Sequence, residues 1–75
     1  MNAAKYDDGA LYWRGTGERW IYHTPQAFRA MLAAFAEPDP FDANLPGWEE
    51  TRLAFVRDLT RALEAYDADQ FEDAA

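Results

Sequence analysis

The chain has 75 residues, no cysteine, and fourteen acidic against seven basic side chains, for a net charge of −7. The length fits one domain, and the lack of cysteine excludes disulfides and cysteine-ligated metal sites. The negative net charge disfavours direct contact with nucleic acid or anionic lipid. No apolar run reaches the ~20 residues of a membrane span, and residues 1–8 lack the apolar stretch of a signal peptide. We therefore expect a cytoplasmic protein without membrane contact, and its alanine- and arginine-rich composition suggests a bacterial or phage origin.

Residues 1–8 precede the first patterned segment, and we expect them to form a flexible N-terminal arm, frayed or at most extended. Two aromatic-rich runs, residues 10–14 and 19–23, then flank a glycine-containing turn and predict a β-hairpin. A two- or four-residue loop pairs Trp13 with Trp20, which makes one face wholly apolar and directs it to the core. The same register pairs Leu11 with Tyr22 and leaves the other face to Tyr12, Arg14, Arg19, Ile21 and His23.

An alternative hairpin register has a three-residue loop with Gly17 as a bulge and pairs Arg14 with Glu18. It scatters the rings over both faces, so we favour the first register. An exposed hairpin edge can accept a strand from a partner, unless the arm around Tyr6 covers that edge.

Thr24 and Pro25 predict the start of a first helix, because threonine caps helices and proline suits the first helical position. This helix runs to about residue 36. Its apolar side chains recur with helical spacing at Phe28, Met31, Leu32 and Phe35. The segment Glu37-Pro38-Asp39-Pro40 then ends it.

A second helix opens at Leu45-Pro46-Gly47 and runs to about Tyr66. Its apolar face contains Trp48, Phe55, Val56, Leu59, Leu63 and Tyr66, and the opposite face contains Glu50, Arg57, Asp58, Arg61 and Glu64. We expect residues 67–75 to form a mobile acidic tail. The predicted domain, with a folded core over residues 9–66, is therefore α+β, with a β-hairpin packed on an antiparallel two-helix hairpin (ββαα).

The acidic side chains are gathered in two blocks, residues 37–50 and 62–75, each with five acids and no basic side chain. The antiparallel helices place the first block at one end of the molecule and the second at the other. Blocks of charge create a field that steers a basic partner, and prolines make the first block the stiffer one. The predicted partner-binding residues are Glu37, Asp39, Asp42, Glu49, Glu50, Arg52, Asp67, Asp69, Glu72 and Asp73.

Arg52 is unusual because its helical angle places it inside the apolar face, between Trp48 and Phe55. In one interpretation its stem lies along Trp48 while its guanidinium reaches acids of the linker. In the other it anchors a carboxylate or backbone group of a partner.

No pattern in the chain predicts catalysis. Serine and cysteine, the commonest nucleophiles, are missing, and His23 is the single histidine. Residues 15–18 lack the lysine and following helix of a phosphate loop. Residues 67–73 lack the glycine and final glutamate of a calcium loop. We expect no cofactor, no metal and no enzyme activity.

A short, cysteine-free, strongly acidic domain with many aromatic rings resembles the phage-encoded inhibitors of bacterial defence, such as anti-CRISPR and DNA-mimic anti-restriction proteins. The resemblance covers the whole chain in size and charge. It implies a stoichiometric inhibitor that covers a basic, nucleic-acid-binding surface of a complex such as a CRISPR effector in the bacterial host cell.

Two other functions remain open at this point. The chain is expected to be a monomer or a homodimer. If it is a homodimer, the first of these functions is a small structural or assembly protein whose surplus rings form the dimer interface. The second is a regulatory partner of the antitoxin kind, whose tail folds on a toxin.

Overall fold

The computed structural model describes residues 3–14, 19–37 and 45–74, with only the backbone of residues 72–74. Three strands precede two helices, and the predicted α+β fold class is confirmed. The strands form one antiparallel sheet in the order β1-β2-β3. The elements are β1 (Ala4–Asp7), β2 (Ala10–Trp13), β3 (Ile21–His23), α1 (Pro25–Ala36) and α2 (Trp48–Ala74).

Strand β1 occupies residues that were expected to belong to a flexible arm. It pairs with β2 through a two-residue turn in which Asp8 has φ 49° and Gly9 has φ 84°. An Asp-Gly pair with positive φ at both positions is typical of the tightest hairpin turns. The backbone N–H of Arg14 also donates to the Ala3 carbonyl at 2.8 Å and extends the pairing. The arm thus covers one edge of the predicted hairpin, and β3 forms the other edge of the sheet.

The register of β2 and β3 differs by one residue from the favoured prediction. Tyr12 lies opposite Tyr22 and Trp13 lies opposite Ile21, so the predicted pairing of Trp13 with Trp20 is wrong. A slip of one residue moves every side chain of a strand to the other face. Trp20 and Tyr22 therefore point away from the helices, while Ile21 and His23 share the core face. The observed register is favoured because β1 places Lys5 over the Tyr12 and Trp20 rings of the outer face, a contact that the hairpin alone lacks.

Helix α1 begins where the sequence predicts. The Thr24 side chain accepts a hydrogen bond from the Ala27 N–H at 3.1 Å, and Pro25 occupies the first helical turn. Phe28 is completely buried, and the helix ends at Ala36, before Glu37 adopts an extended backbone.

Helix α2 begins at Trp48, and the Gly47 carbonyl accepts a hydrogen bond from the Thr51 N–H. The expectation that it ends near Tyr66 and gives way to a mobile tail is wrong, because it continues through Ala74. Its 27 residues correspond to about 40 Å at 1.5 Å per residue. The added turns contain neither glycine nor proline. Tyr6 of β1 packs edge to face on Tyr66, and its hydroxyl donates a hydrogen bond to Asp69 one turn further along the helix. No helix of the described residues is apolar over a length that would span a bilayer.

The core lies between the inner face of the sheet and the two helices. Leu11, Phe28 and Leu59 are its fully buried large side chains. Smaller residues, Ala4 and Ala62, lie beside them where β1 approaches α2. A cluster of rings extends the core toward the start of α2 and joins Trp13, Phe35, Trp48 and Phe55.

Asp58 was expected on the solvent-facing side of the second helix, and the structure corrects this. Its side chain is only 3% exposed, and its Oδ2 accepts a hydrogen bond from the Ala3 N–H at 3.0 Å. The Arg57 Nε lies 3.6 Å from the other carboxylate oxygen. The helical angle is as predicted, but β1 lies over this position and turns an exposed site into a buried one.

Candidate protein-binding surfaces

One acidic surface, the linker end, lies where α1 ends and α2 begins. Its described acids are Glu37, Glu49 and Glu50, all of them exposed. Two other predicted partner-binding residues of this block, Asp39 and Asp42, lie outside the described residues. The antiparallel arrangement of α1 and α2 brings these three glutamates to the same end of the molecule.

Arg52 neutralises one of those glutamates. Its Nε donates to Glu49 Oε2 at 3.1 Å, and its Nη2 donates to the second carboxylate oxygen. Its Nη1 donates to the Phe35 carbonyl at 2.7 Å and to the Ala36 carbonyl at 3.4 Å. These carbonyls belong to the last turn of α1, where no helical N–H remains to bind them. Arg52 therefore ties the start of α2 to the end of α1.

The electrostatics of this pair favour the structural interpretation of Arg52. The hydrogen bond from Arg52 lowers the pKa of Glu49, desolvation opposes that shift, and the charge of Arg52 adds to it. The same hydrogen bond raises the pKa of Arg52. Arg52 as a residue is only 7% exposed, and its guanidinium donates to Glu49 on one side and to the carbonyls at the end of α1 on the other. Its predicted contact with a partner remains a prediction.

The opposite acidic surface, the tail end, combines the β1–β2 turn with α2 from Asp67 onward. Asp7 and Asp8 are exposed at the turn. Asp69 is half-buried and accepts a hydrogen bond from the Tyr6 hydroxyl. Two further predicted acids, Glu72 and Asp73, continue the same helix, and their side chains lie outside the described residues.

A cleft separates the turn from the helix at the tail end. Asp8 and Asp69 lie on its two sides, with Tyr6 and Gly9 beside them and two alanines of α2, Ala65 and Ala68, completing the lining. The small alanines leave the carboxylates accessible. Within the described residues, no lysine or arginine forms an ion pair with Asp7, Asp8 or Asp69.

Asp67, another acid of the tail end, forms an ion pair with Arg29 of the same chain. The Arg29 Nη2 lies 2.7 Å from its Oδ1, and both side chains are about half exposed. This ion pair joins α1 to α2 at the end opposite the Arg52 contacts. An exposed pair of this kind stabilises little, but it withdraws Asp67 from the acids available to a partner.

The two ends differ in how many of their described acids form an ion pair within the chain, while the expected stiffness of the proline-rich linker falls on residues outside the described part. The linker end keeps Glu37 and Glu50 without a described ion pair, and Glu49 is committed to Arg52. At the tail end, Asp7, Asp8 and Asp69 form no ion pair with a described residue, and they lie at a two-residue turn and on a continuous helix. Among the described residues, the tail end therefore has three acids without an ion pair and the linker end has two.

A third surface, the outer sheet face, contains Tyr12 and Arg14 as expected, but its other members differ from the prediction. It consists of Lys5, Tyr12, Arg14, Trp20 and Tyr22 on the side of the sheet away from the helices. Lys5 Nζ lies 4.5 Å from the Trp20 ring centroid and 5.5 Å from that of Tyr12. The guanidinium carbon of Arg14 lies 4.3 Å from the Trp20 centroid. The Tyr12 and Tyr22 rings meet edge to face at 6.3 Å.

Sequence reasoning did not place Lys5 on this face because it missed β1, and it did not place Trp20 and Tyr22 there because it favoured another register. The pair Asp8-Gly9 is the signal that would have found the strand, since it predicts a tight hairpin turn. With β1 in place, alternation along the strands puts Lys5 beside Tyr12 and Tyr22. To place Trp20 on this face, the register of β2 and β3 must also be known.

Neither a metal site nor a catalytic base stands out in the described part of the chain. No group of three or more metal-ligating side chains occurs among those residues. His23 is half-buried, with its ring centroid 6.1 Å from that of Phe28. The prediction that the chain is not an enzyme stays a prediction.

Comparison of the chain with known proteins adds no relative to these observations. No family model matches it, and neither a curated protein nor a solved structure does so. The surfaces themselves therefore carry the functional argument.

Proposed function

We propose that the chain is a non-catalytic protein-binding module whose tail end covers a basic surface of another protein. The observation that carries the proposal is the cleft with Asp8 and Asp69 on its two sides, neither of which forms an ion pair with a lysine or arginine of the described residues. Asp7 adjoins it, and the backbone of α2 stays helical through residues 72 and 73, which are acidic in the sequence.

The carboxylates of the tail end are held in place before any partner arrives. The Tyr6 hydroxyl fixes Asp69, and the two-residue turn fixes the backbone of Asp8. Groups that are already ordered lose less entropy on binding. Complementary fields raise the rate of association and make it sensitive to salt. The arrangement thus favours fast, salt-dependent binding to a cationic surface.

The resemblance to phage-encoded inhibitors indicates the kind of partner. A nucleic-acid-binding protein must display lysines and arginines to bind phosphates, and a compact acidic plug can occupy that surface. Such a surface on a bacterial defence complex, for instance a CRISPR effector subunit, is the partner that this proposal favours. The mixed charge of α2, where Arg57 and Arg61 interrupt the acids, supports a local plug over imitation of a long duplex.

Two pairs of substitutions of equal charge test which end binds. Asp8→Asn with Asp69→Asn removes two charges from the tail end. At position 8, asparagine tolerates the positive φ. At position 69, it keeps an oxygen that can accept the hydrogen bond from Tyr6. Glu37→Gln with Glu50→Gln removes the same charge from the linker end.

The assay is affinity capture from a bacterial lysate at low and high salt, followed by measurement of Kd for the retained protein. We expect the tail-end pair to weaken binding by at least tenfold, while the linker-end pair stays within a few-fold of the parent chain. Each lost charge contact of this type contributes about 1 kcal/mol or more. Equal weakening by both pairs would show that net charge alone drives binding and would refute a tail-end site.

The two alternatives stand differently against the structure. An antitoxin whose tail folds only on its target has less support, because α2 is already helical through Ala74. Self-assembly gains support from exposed rings at two separate places, Tyr22 on the outer sheet face and Phe71 on α2.

A further inference from the structure

Strand β3 is an edge strand, and its outer side pairs with no other strand in the described part of the chain. Its two exposed apolar side chains lie on opposite faces of the sheet, Ile21 (54% exposed) on the core face and Tyr22 (60% exposed) on the outer sheet face. Unpaired edges are templates for pairing with another strand, and proteins commonly protect them with lysine, proline or a bulge. β3 contains neither lysine nor proline, and its register with β2 is unbroken.

The backbone of Tyr22 points to this free edge. The Arg14 N–H donates to the Ala3 carbonyl of β1, and the backbone groups of successive residues in an antiparallel strand point to alternate sides. Tyr12, two residues before Arg14, therefore also directs its backbone groups to β1. Because Tyr22 lies opposite Tyr12, its own N–H and C=O point away from β2. No described residue forms a hydrogen bond with either group.

We propose that β3 of one copy of this chain pairs antiparallel with β3 of a second copy, about a two-fold axis that passes beside Tyr22. Each Tyr22 N–H donates to the Tyr22 carbonyl of the other copy. The pairing joins two sheets of three strands into one continuous sheet. β3 has no part in the proposed binding of a basic protein, so this inference goes beyond that function.

The free edge is complementary to itself, as a contact about a two-fold axis requires. A hydrogen-bonded pair of residues in an antiparallel sheet exchanges two bonds, and Tyr22 offers one donor and one acceptor. Next to the axis, Ile21 lies opposite His23 of the other copy, so the paired strands bring no aspartate, glutamate, lysine or arginine together. The two Tyr22 rings lie side by side and continue the edge-to-face contact of Tyr12 and Tyr22 across the axis.

The charge distribution favours a second copy at this edge over a basic protein. Two copies with a net charge of −7 repel each other unless their acids stay apart. Residues 19–36, which contain β3 and α1, include no acid. Asp7 belongs to β1, which is two strand spacings from β3, or about 10 Å. Two acidic copies therefore approach through the β3 edge with little repulsion, whereas a basic protein is attracted to the acidic ends.

The small size of the contact sets its strength. β3 has three residues, whereas stable interfaces of standard size use about 20–30 residues on each side. We therefore expect a weak dimer that forms as the concentration rises toward about 1 mM. Salt distinguishes it from the proposed partner binding. Raising salt from about 0.1 M to about 1 M screens the repulsion between copies and should not weaken the dimer, but it should weaken binding to a basic protein.

Two substitutions of Tyr22 in the full chain separate its backbone from its ring. Tyr22→Pro removes the outward N–H and retains the pairing of β2 with β3, because proline is tolerated on an edge strand whose N–H faces solvent. Ile21 already has the extended backbone that a residue before proline prefers. Tyr22→Ala removes the ring and keeps the N–H.

Sedimentation velocity and light scattering measure the mass of each chain up to about 1 mM. We expect the parent chain to rise from its monomer mass of 8.6 kDa toward twice that mass. Tyr22→Pro should stay monomeric. Tyr22→Ala should still associate, with a Kd within about tenfold of the parent value, because a pair of rings contributes only part of the contact.

A mixing experiment tests the two-fold axis. Tyr22→Lys places two lysines opposite each other and Tyr22→Glu places two glutamates there, and like charges directly opposite each other are destabilising. Each variant alone should therefore be monomeric. Their equimolar mixture at low salt should contain a species of twice the monomer mass, because a residue beside the axis meets the same position of the other copy.

Matched controls use Leu53, an exposed apolar residue on α2. Leu53→Lys and Leu53→Glu make the same changes of charge away from β3, and each should associate like the parent chain. Circular dichroism checks that every variant is folded. If Tyr22→Pro impairs folding, the mixture of Tyr22→Lys with Tyr22→Glu still tests the pairing.

Three results would overturn the proposal. They are a parent chain that stays monomeric at about 1 mM, a folded Tyr22→Pro variant that associates like the parent, and a mixture of folded lysine and glutamate variants that stays monomeric. A chain that never self-associates, yet loses a captured basic protein through Asp8→Asn with Asp69→Asn, would refute the pairing of β3 and leave the proposed function intact.

Discussion

The backbone N–H of Ala3 donates a hydrogen bond to the buried carboxylate of Asp58, a contact between residues 55 positions apart in the chain. It fastens the start of β1 to the middle of α2. Because β1 creates both the tail-end turn and the outer sheet face, this contact supports two of the three surfaces considered above. The stability of β1 is accordingly the first property to test.

Asp58→Ala should lower the free energy of unfolding by about 1–3 kcal/mol, because it leaves the Ala3 N–H without its acceptor. Asp58→Asn keeps an oxygen acceptor of the same shape and should cost less. Urea unfolding followed by tryptophan fluorescence gives both values. Amide hydrogen exchange of β1 should accelerate in the alanine variant, and unchanged exchange there would contradict a role for Asp58 in holding the strand.

Arg52→Ala should lower the melting temperature by several degrees and weaken partner binding much less. The variant removes the donors to Glu49 and to the Phe35 and Ala36 carbonyls. Arg52→Lys retains the charge but not the forked geometry, so its melting temperature should lie between the two. Calorimetry and a binding assay on the same samples check this. A variant with an unchanged melting temperature and lost binding would instead make Arg52 a contact residue.

The Glu49 carboxyl makes stability depend on pH in a definite direction. The hydrogen bond from Arg52 lowers its pKa in the folded chain below the ordinary value of 4.5. As pH falls, the unfolded chain therefore takes up this proton first, and the stabilisation is lost as pH passes down through the folded pKa. The parent chain should exceed Glu49→Gln in stability near pH 7, and the difference should shrink below about pH 4.

Urea unfolding at several pH values measures that difference. The charge-matched control is Glu50→Gln, since Glu50 forms no ion pair with a described residue. A difference between the parent chain and Glu49→Gln that stays constant from pH 7 to pH 3 would contradict the assignment.

Leu59 tests the core, because it is completely buried beneath the sheet. Leu59→Ala should cost about 2–5 kcal/mol. A chain of 75 residues has a total stability of only about 4–11 kcal/mol at 0.05–0.15 kcal/mol per residue, so this variant can be partly unfolded at 37 °C. Leu59→Met fills most of the space and should cost less than about 1.5 kcal/mol. Leu53→Ala, on the exposed side of the same helix, should change stability by less than about 0.5 kcal/mol. Similar costs for both alanine variants would contradict the described core.

Features that depend on neighbours along the chain were read correctly from the sequence. Thr24 and Pro25 mark the start of α1 because capping involves residues only three positions apart. Helical spacing placed Phe28 and Leu59 in the core, and put Arg52 within the buried face of α2. The α+β class follows from these local elements.

The sheet was read less well because its pairing depends on more than local pattern. β2 has rings on both faces, Tyr12 on one and Trp13 on the other, so either register buries aromatic surface. On the outer sheet face, Lys5 of β1 and Arg14 lie over the Trp20 ring, and Tyr12 packs edge to face on Tyr22, so positions outside the core are acceptable for both Trp20 and Tyr22. A one-residue error then exchanged the two faces of β3.

By itself the sequence determined the charge of the chain, the two acidic blocks, the start of α1 and the apolar faces of both helices, since each depends on composition or on spacing within a few residues. Only the tertiary structure decided which acids are compensated. Arg29 meets Asp67 across 38 positions and Tyr6 meets Asp69 across 63, and such partners are chosen by the packing of β1 and α1 against α2. Hydrogen bonds and close ion pairs need their atoms within about 4 Å. Distance in space, which the order of residues does not encode locally, therefore determines whether a carboxylate is paired within the chain or left for a partner.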